Sequence, residues 1–245
     1  MRSTHESQHP RVKGRGREQL PFRTGSHADL ARSPQTPPLV RILTVERKSY
    51  VSTFNVLVVC TANHCRSPIA EQLLTAAVAE QFGDDNSWNI SSAGTDVDRI
   101  RPLHIFADEV LRDRGVLIPG HRAVQVTREQ ILEADLILAA ARLHRAAVVT
   151  MAPPALGRTF TIRQFARLVD QIEPITAADS VELGLQLVED AKLARGMMQP
   201  VPVEQDDVAD PIGRPLTVFR ECADQLDDAV RRILRPLHLS ASING

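Results

Sequence analysis

Apolar and polar positions follow each other along the chain in blocks that predict alternating strands and helices. Residues 56–59 form a short, β-branched, unbroken apolar run, which is typical of a strand buried on both faces. A polar stretch follows, and apolar residues then recur at helical spacing over residues 69–78. Ser67 suits the N-cap of that helix, and Pro68 suits its first helical position. The pattern therefore predicts a buried strand, a tight loop and a helix in direct succession.

The same alternation continues toward the C-terminus. Further strands are predicted at residues 88–94, 135–140 and 160–162, and further helices at residues 105–115, 127–132, 142–151, 180–196 and 215–237. Strands and helices that alternate at this spacing indicate an α/β fold. We expect a doubly wound, four-stranded parallel sheet with helices on both faces. It belongs to a domain spanning residues 51–240.

The polar loop after the first strand has the residues of an anion site with a nucleophile. Between Cys60 and Arg66 the backbone N–H groups can turn inward onto one oxyanion, beside a helix N-terminus. Arg66 adds a planar fork that can grip two phosphate oxygens. The same positive field stabilises a thiolate, so we expect Cys60 to be ionised at neutral pH. Ser67 can donate its hydroxyl to that sulfur, and Asn63 tolerates the left-handed backbone that such a loop needs. These features predict phosphoryl transfer to sulfur.

In this loop the sequence resembles the low-molecular-weight protein tyrosine phosphatases, whose loop reads V-C-x-G-N-x-C-R-S-P. The matching residues are Val59, Cys60, Thr61, Ala62, Asn63, His64, Cys65, Arg66, Ser67 and Pro68. Further matches follow in order, as SAGT at 92–95, GHRA at 120–123, ADLIL at 134–138 and Asp210-Pro211. The resemblance covers roughly residues 55–237. It implies a phosphomonoester phosphatase of the protein tyrosine type that works through a phosphocysteine intermediate, without a metal or other cofactor.

The resemblance also implies roles for individual residues. Cys60 is the nucleophile, Arg66 binds the phosphate, and Asp210 protonates the leaving oxygen and then activates water, two tasks that one carboxyl group can perform. Ser92 is expected to hydrogen-bond Asn63. The remaining residues expected to bind phosphate or support the loop are Thr61, Ala62, Asn63, His64, Cys65 and Ser67.

Three other polar residues receive less specific interpretations. His121 is interpreted as a hydrogen-bonded structural residue, since that is the commoner role of a lone histidine in a connector. Asp206 and Asp207 are interpreted as solvated loop residues, with Asp207 as the fallback proton donor.

Two loop positions depart from the family pattern. Ala62 replaces a glycine, and it would be strained by about 1–2 kcal/mol if that position required a positive φ. His64 stands where the family has Ile or Leu, or Thr in the branch that acts on phosphoarginine. A partly protonated His64 would add a pH-dependent attraction for the substrate.

The residues expected around the substrate slot also differ from tyrosine-directed members. Ile212 follows the Asp-Pro pair where Tyr or Phe is usual, and residues 96–101 contain no Trp or Tyr. A phosphotyrosine ring therefore has fewer faces on which to stack. Arg99 and Arg101 could instead attract a more anionic substrate. The leaving group is thus left open between phosphorylated proteins and small phosphomonoesters.

The cysteines bear on two further questions. Cys65 either forms a reversible, protective disulfide with Cys60, which a thiol reductant would reopen, or is simply a small loop residue. Cys222 lies in the apolar stripe of the last helix and is interpreted as core. The alternatives to a phosphatase are an arsenate reductase on the same fold, which needs more cysteines for its relay, and a phosphate-binding protein without turnover.

Length and charge separate the chain into unequal parts. Residues 1–50 carry ten basic and four acidic residues and many prolines, which predicts a disordered basic tail. The other 195 residues carry 19 basic and 26 acidic residues, so we expect no nucleic-acid partner for the domain. Residues 164–205 are a helical insertion relative to the family. Its helix is expected either to cover part of the active-site rim, which is the preferred interpretation, or to serve as a protein contact.

The cellular setting follows from cysteine usage and hydropathy. Three cysteines make no disulfide framework, and a reactive one needs a reducing compartment. No apolar run approaches the roughly 18 residues of a membrane span. The sequence therefore predicts a cytoplasmic protein with no membrane span.

Overall fold

A computed structural model describes residues 53–118 and 120–240, and the predicted basic tail over residues 1–50 lies outside them. Its main sheet has four parallel strands in the order β2-β1-β3-β4. They are β1 (Phe54–Cys60), β2 (Trp88–Gly94), β3 (Leu136–Ala139) and β4 (Thr159–Thr161). The prediction of a four-stranded parallel sheet is confirmed. A second, two-stranded parallel sheet, which was not predicted, pairs β5 (Ile175–Ala177) with β6 (Leu237–Leu239).

Eight α-helices connect and cover these strands in the described part of the chain. They are α1 (Arg66–Phe82), α2 (Ile105–Arg112), α3 (Arg128–Glu133), α4 (Arg142–Met151), α5 (Ile162–Val169), α6 (Ser180–Met197), α7 (Val203–Asp206) and α8 (Leu216–Leu234). Short 3-10 helices occupy Gly83–Asp85 and Pro153–Arg158. None of the helices within residues 53–118 and 120–240 is both long and apolar enough to cross a bilayer.

The central strand β1 faces a separate apolar layer on each side. Val56 and Val58 belong to the larger layer, which includes residues of α1, α2, α5, α6 and α8. Leu57 and Val59 belong to the smaller layer, which includes residues of α3 and α4. Because successive strand side chains point to opposite faces, a strand covered on both sides must be apolar throughout. This explains the unbroken apolar run and places helices on both faces.

The helix ends correct one capping prediction. Thr127 caps α3 and forms a reciprocal capping box with Gln130. Ser67, by contrast, is not an N-cap, because α1 begins at Arg66 and its N-cap residue, Cys65, makes no side-chain capping bond. The Ser67 hydroxyl instead contacts the sulfur of the preceding strand.

The predicted position of the insertion helix is wrong. The carbonyl of Ser180 accepts a hydrogen bond from Trp88 Nε1 (2.7 Å), and Gly184 packs directly against the Phe54 ring. Phe54 and Trp88 begin β1 and β2, whereas Cys60 ends β1. Helix α6 therefore starts at the amino ends of the strands, at the opposite end of β1 from Cys60, and only its last turns, with Arg195, lie near Asp206.

Candidate active site

The loop between β1 and α1 is anchored to the segment that follows β2. The backbone N–H of Thr95 donates to the Cys60 carbonyl (2.8 Å), and that of Asp96 donates to the Thr61 carbonyl (2.9 Å). Gly94 is the register partner of Cys60, and a Cβ on Gly94 would lie only 2.5 Å from the Thr61 carbonyl oxygen. The glycine of the SAGT motif thus allows two backbones to approach each other.

Asn63 holds the centre of the loop in shape. It is the one non-glycine residue with a positive φ (49°) in the described part of the chain. Its side-chain amide donates to Ser67 Oγ (3.0 Å) and Ser92 Oγ (2.7 Å), while Oδ1 accepts from the N–H of Val124 (2.9 Å). Its carbonyl lies 2.9 Å from His121 Nε2, which must therefore be the donor. His121 contacts the loop backbone, in line with the structural interpretation.

The strain anticipated at Ala62 is absent. Asn63, not Ala62, takes the left-handed conformation that the loop requires. Asparagine tolerates this region better than alanine does, because its short polar side chain bonds locally. Replacement of the family glycine at position 62 therefore carries no backbone penalty of the kind that was expected.

The sulfur of Cys60 has one close hydroxyl partner. Cys60 Sγ lies 2.9 Å from Ser67 Oγ, and both residues are buried. Because the Asn63 amide donates into Ser67 Oγ, the hydroxyl proton remains available for the sulfur. Its alternative acceptor, the Ala93 carbonyl, is farther away at 3.4 Å. The arrangement can therefore stabilise negative charge on sulfur.

The guanidinium of Arg66 joins the loop to a distant carboxylate. Arg66 NH2 lies 2.6 Å from Asp210 Oδ2, although the two residues are 144 positions apart. Arg66 also donates to the Val208 carbonyl (3.3 Å) and to Thr61 Oγ1 (3.4 Å). The Arg66 side chain is only 7% exposed, whereas that of Asp210 is 49% exposed. Two of the three predicted catalytic residues are thus in direct contact.

The two other acidic residues of this segment are structural. Asp206 is buried and pairs with Arg142 Nε (2.8 Å) and Arg167 NH2 (2.5 Å), so its interpretation as a solvated residue was wrong. Asp207 Oδ1 accepts a hydrogen bond from the backbone N–H of Arg142 (2.8 Å) at the start of α4. Because that carboxylate caps a helix, the structure gives Asp207 no role as a fallback donor.

The sequence analysis missed His144, a fully buried residue of α4. His144 Nε2 lies 2.8 Å from Thr61 Oγ1, which in turn receives a hydrogen bond from Arg66. Burial, and then the positive charge of Arg66, lower the pKa of His144 from near 6.5 to about 4. The ring is therefore neutral at pH 7 and supports the first residue of the loop. Only its helical stripe could have suggested burial; no local motif marks its contact with Thr61.

His64 lies at the loop but does not behave as expected. Its Nδ1 is 2.7 Å from the Pro102 carbonyl, so Nδ1 must carry the proton. Burial lowers the pKa of His64 below 6.5, against the hydrogen bond to the Pro102 carbonyl, which raises it, and the positive charge of Arg101 lowers it further. A partly protonated ring at neutral pH is therefore not supported.

The two remaining cysteines are buried thiols. Burial, and then the neighbouring Cys60, raise the pKa of Cys65 well above its ordinary value. Burial also raises the pKa of Cys222 to about 12, and its place in the core of α8 confirms the interpretation from its apolar stripe. All three cysteines are free. The protective disulfide between Cys60 and Cys65 stays a prediction.

The residues considered for substrate selection differ in availability. Arg101 NH2 pairs with Asp98 (2.6 and 2.8 Å), while Arg99 makes only a longer contact with the same carboxylate (3.8 Å) and its side chain is 71% exposed. Ile212 is 48% exposed and donates its backbone N–H to Asp210 Oδ1 (3.1 Å). An aliphatic side chain therefore stands beside the carboxylate where the family has an aromatic one.

A parallel α/β sheet with a Cys-x5-Arg loop at the end of its central strand defines a cysteine-based phosphatase, a phosphoric monoester hydrolase. The profile of the family described as "Low molecular weight phosphotyrosine protein phosphatase" matches residues 55–177. The chain belongs to this family.

Individual relatives show the same relationship over different lengths. The protein-arginine-phosphatase of Geobacillus stearothermophilus is 27% identical over 184 residues, which cover 75% of this chain and 96% of that protein. The low molecular weight protein-tyrosine-phosphatase Etp of Escherichia coli (strain K12) is 35% identical over 111 residues, which cover 45% of this chain and 70% of that protein.

Solved structures agree with this assignment. The low molecular weight protein tyrosine phosphatase from T. tengcongensis is similar with a TM-score of 0.55 and 28% identity, covering 75% of this chain and 99% of that one. The YwlE arginine phosphatase from Geobacillus stearothermophilus is similar with a TM-score of 0.53 and 26% identity, covering 74% and 91%.

Proposed function

We propose that the chain is a cytoplasmic phosphoprotein phosphatase in which Cys60, Arg66 and Asp210 carry out the reaction. The catalytic domain spans residues 51–240, with residues 164–205 inserted and a basic tail over residues 1–50. A reducing compartment suits the enzyme, because its proposed nucleophile is a free cysteine. Neither a metal nor a cofactor is needed for the chemistry proposed.

In the first step the Cys60 thiolate attacks phosphorus, and the bond to the leaving oxygen breaks. Asp210 gives its proton to that oxygen, and the phosphoryl group stays on sulfur as phosphocysteine. In the second step the Asp210 carboxylate takes a proton from water, which attacks phosphorus. Inorganic phosphate and the Cys60 thiolate are then released, and Asp210 is protonated again.

The contact between Arg66 and Asp210 is the observation that carries this proposal. It brings the cation of the phosphate loop and a half-exposed carboxylate from a distant segment together at 2.6 Å. A phosphate bound in the loop competes for the same guanidinium, which grips two phosphate oxygens well. Asp210 would then be released from Arg66 while it still lies beside the leaving oxygen.

Ser67, Asn63 and Ser92 support the nucleophile in this proposal. The Ser67 hydroxyl stabilises the thiolate in the ground state and again when sulfur leaves the phosphocysteine. Asn63 and Ser92 keep that hydroxyl and the loop backbone in place. Thr61, Ala62, His64 and Cys65 contribute backbone N–H groups of the cradle.

The substrate that we propose is a phosphorylated side chain with weak selection for an aromatic ring. Ile212 offers aliphatic contact next to Asp210, and residues 96–101 offer no ring for stacking. The exposed Arg99 can attract acidic sequence around the phosphorylated residue. Both tyrosine and arginine phosphatases occur among the relatives, so phosphotyrosine and phosphoarginine are the two leaving groups to compare.

The deciding experiment measures steady-state hydrolysis of p-nitrophenyl phosphate, phosphotyrosine peptide and phosphoarginine peptide. We expect turnover in the wild type and none in Cys60→Ser. Asp210→Asn should lose far more rate on phosphotyrosine, a poor leaving group, than on p-nitrophenyl phosphate, because only the poor leaving group depends on a proton donor.

Asp207→Asn is the matched control for Asp210→Asn. It removes the same charge from the same segment, and an amide oxygen can still accept from the N–H of Arg142. Its rates should stay close to those of the wild type. Equal loss in both variants, or turnover that survives Cys60→Ser, would refute the assignment.

The alternatives gain no support from the cysteines or the loop. An arsenate reductase needs a second cysteine that can relay a disulfide, and Cys222 is a buried, protonated core thiol. A binding protein without turnover was considered because of Ala62 and Ile212, and Ala62 is not strained. Tight phosphate binding with no hydrolysis of any of the three substrates would revive it.

A further inference from the structure

A cavity of about 320 Å³ opens at the carboxyl end of β4, beside the segment that leads to Asp210. Thr161, the last residue of β4, is part of its wall. The charged residues of the lining are Arg142, Arg145, Arg167, Arg195 and Asp206. Four cations therefore surround one carboxylate. The volume is in the range of small-molecule sites.

Asp206 is already neutralised by two of these arginines. Its Oδ2 lies 2.8 Å from Arg142 Nε, and its Oδ1 lies 2.5 Å from Arg167 NH2. Asp206 thus pairs with both Arg142 and Arg167, and its single negative charge balances only one of their two positive charges. Arg145 and Arg195 make no ion pair within the described residues, and Asp206 stabilises the charge of Arg145 only from beyond ion-pair distance.

Arg145 and Arg195 converge on one backbone carbonyl. Arg145 Nε donates to the Thr159 oxygen (2.9 Å), and Arg195 NH2 donates to the same oxygen (3.2 Å). The Arg195 guanidinium also stacks over the Phe160 ring, with Cζ 3.5 Å from the ring centre. Burial, and then the charge of Arg145, lower the pKa of Arg195 to about 10. The two cations therefore repel each other in partly buried surroundings.

Two donors in this lining are left without acceptors. The Nε atoms of Arg167 and Arg195 are buried and have no hydrogen-bond partner among the described residues. A buried donor without a partner is uncommon in folded proteins. A purely structural role for Arg195 would explain why its terminal nitrogens donate to the carbonyls of Leu156 and Thr159. It would not explain why Nε has no acceptor or why Arg195 lies beside the like charge of Arg145.

We propose that this arginine cavity binds a small molecule carrying two or more phosphate or carboxylate groups. Guanidinium forks match such groups through paired hydrogen bonds. An anion would supply the directly paired counterion that Arg145 and Arg195 lack, and its oxygens would accept hydrogen bonds from the guanidinium groups that line the cavity. The site is separate from the catalytic loop, because none of residues 60–67 lines it.

The test uses inorganic pyrophosphate as the probe, with isothermal titration calorimetry on the full chain at low ionic strength. We expect two binding sites in the wild type, one in the phosphate loop and one in the arginine cavity. Arg66→Gln should keep the cavity site, and the double variant Arg145→Gln/Arg195→Gln should keep the loop site. Affinity at the cavity should fall on the order of tenfold or more in the double variant, since each lost charge-assisted bond contributes strongly.

Arg220→Gln is the matched control, since it removes an exposed arginine of α8 that is paired with Asp113 and does not line the cavity. It should bind pyrophosphate as the wild type does. If the double variant fails to fold by circular dichroism, Arg145→Gln alone decides, because it keeps the Arg195–Phe160 contact. Two results would overturn the proposal. One is unchanged pyrophosphate binding in whichever cavity variant folds, and the other is complete loss of pyrophosphate binding in Arg66→Gln. The first result would mean that these arginines serve the fold alone.

Discussion

Replacing Gly94 by alanine tests how closely the end of β2 supports the catalytic loop. A Cβ at this position would lie 2.5 Å from the Thr61 carbonyl oxygen, 2.6 Å from Val97 Cγ2 and 3.0 Å from the Ala62 carbonyl carbon. Ordinary van der Waals contact begins at 3.4 Å, so the Thr61 carbonyl must retreat by about 0.9 Å. Two of these three atoms belong to the backbone of the phosphate loop, so rotation of a side chain cannot relieve the clash.

The expected cost has a stability part and a rate part. Overpacking of this kind typically destabilises a fold by about 1–3 kcal/mol. A displacement of about 1 Å in a catalytic group can lower the rate by about 100-fold. We therefore expect Gly94→Ala to lower kcat/KM for p-nitrophenyl phosphate by about two orders of magnitude, together with a lower Tm.

Two other glycines provide matched controls. At Gly184 a Cβ would lie 2.7 Å from the Phe54 ring, at the far end of the sheet from the loop, so Gly184→Ala should lower Tm without lowering the rate per folded molecule. At Gly157 the nearest atom would be Lys192 Cε at 3.5 Å, so Gly157→Ala should change neither quantity. Near-wild-type rates in Gly94→Ala, or an equal rate loss in Gly184→Ala, would refute the reasoning.

Three shorter predictions follow from the same site. His144 has a folded pKa of about 4, below its ordinary value near 6.5, so the unfolded chain binds the extra proton between these values. The free energy of unfolding should therefore fall as pH decreases through that window, by up to about 3 kcal/mol. Urea unfolding at several pH values should show that the free energy of unfolding depends less on pH in His144→Asn than in the wild type. Equal pH dependence in the two proteins would contradict this. Ser67→Ala should lower the rate of phosphocysteine formation by about 10- to 100-fold, because a hydrogen bond to a charged sulfur is lost. Single-turnover assays measure this rate. The control is Thr75→Ala, which removes an exposed hydroxyl of the same helix and should leave the rate unchanged. Equal rate losses in Ser67→Ala and Thr75→Ala would exclude a special role for Ser67. Peroxide treatment followed by peptide mass spectrometry should find a Cys60–Cys65 disulfide in the wild type and overoxidised Cys60 in Cys65→Ala. Identical products in the two proteins would argue against protection.

Local sequence carried most of the information about the phosphate loop. The unbroken apolar run before Cys60 requires a strand covered on both faces, and that strand is central in the sheet. Asn63 was identified as the residue that tolerates left-handed backbone, and it does adopt a positive φ. Each of these features depends on residues within a few positions of each other, so one sequence is enough to predict them.

The role of Ser67 was predicted only in part. A serine before a proline at the start of an apolar stripe normally indicates an N-cap. Here the hydroxyl is close to the Cys60 sulfur, and the helix begins at Arg66, two residues before the predicted start at Pro68. The chemical partner was foreseen, but the capping role was wrong, because a single hydroxyl cannot serve the sulfur and the helix end equally.

Features that depend on distant partners were beyond the reach of sequence patterns. Asp206 is buried because Arg142 and Arg167, which are 64 and 39 positions away, neutralise it. The three-residue strands β5 and β6 pair Ile175 with Leu237, and neither is long enough to show an alternating pattern. Each case depends on tertiary contacts that no short segment specifies.

The pairing of Arg66 with Asp210 also bears on how much chain an active fragment would need. The family profile ends at residue 177, and Asp210 lies 33 positions beyond that point. Helix α8, which packs on α1, also lies wholly beyond residue 177. A piece cut at residue 177 would retain the cysteine and the loop but lack Asp210, the proposed proton donor, and one wall of its core would be exposed to water. The matched part of the chain therefore contains the proposed nucleophile, while the proposed reaction also needs the part that follows residue 177.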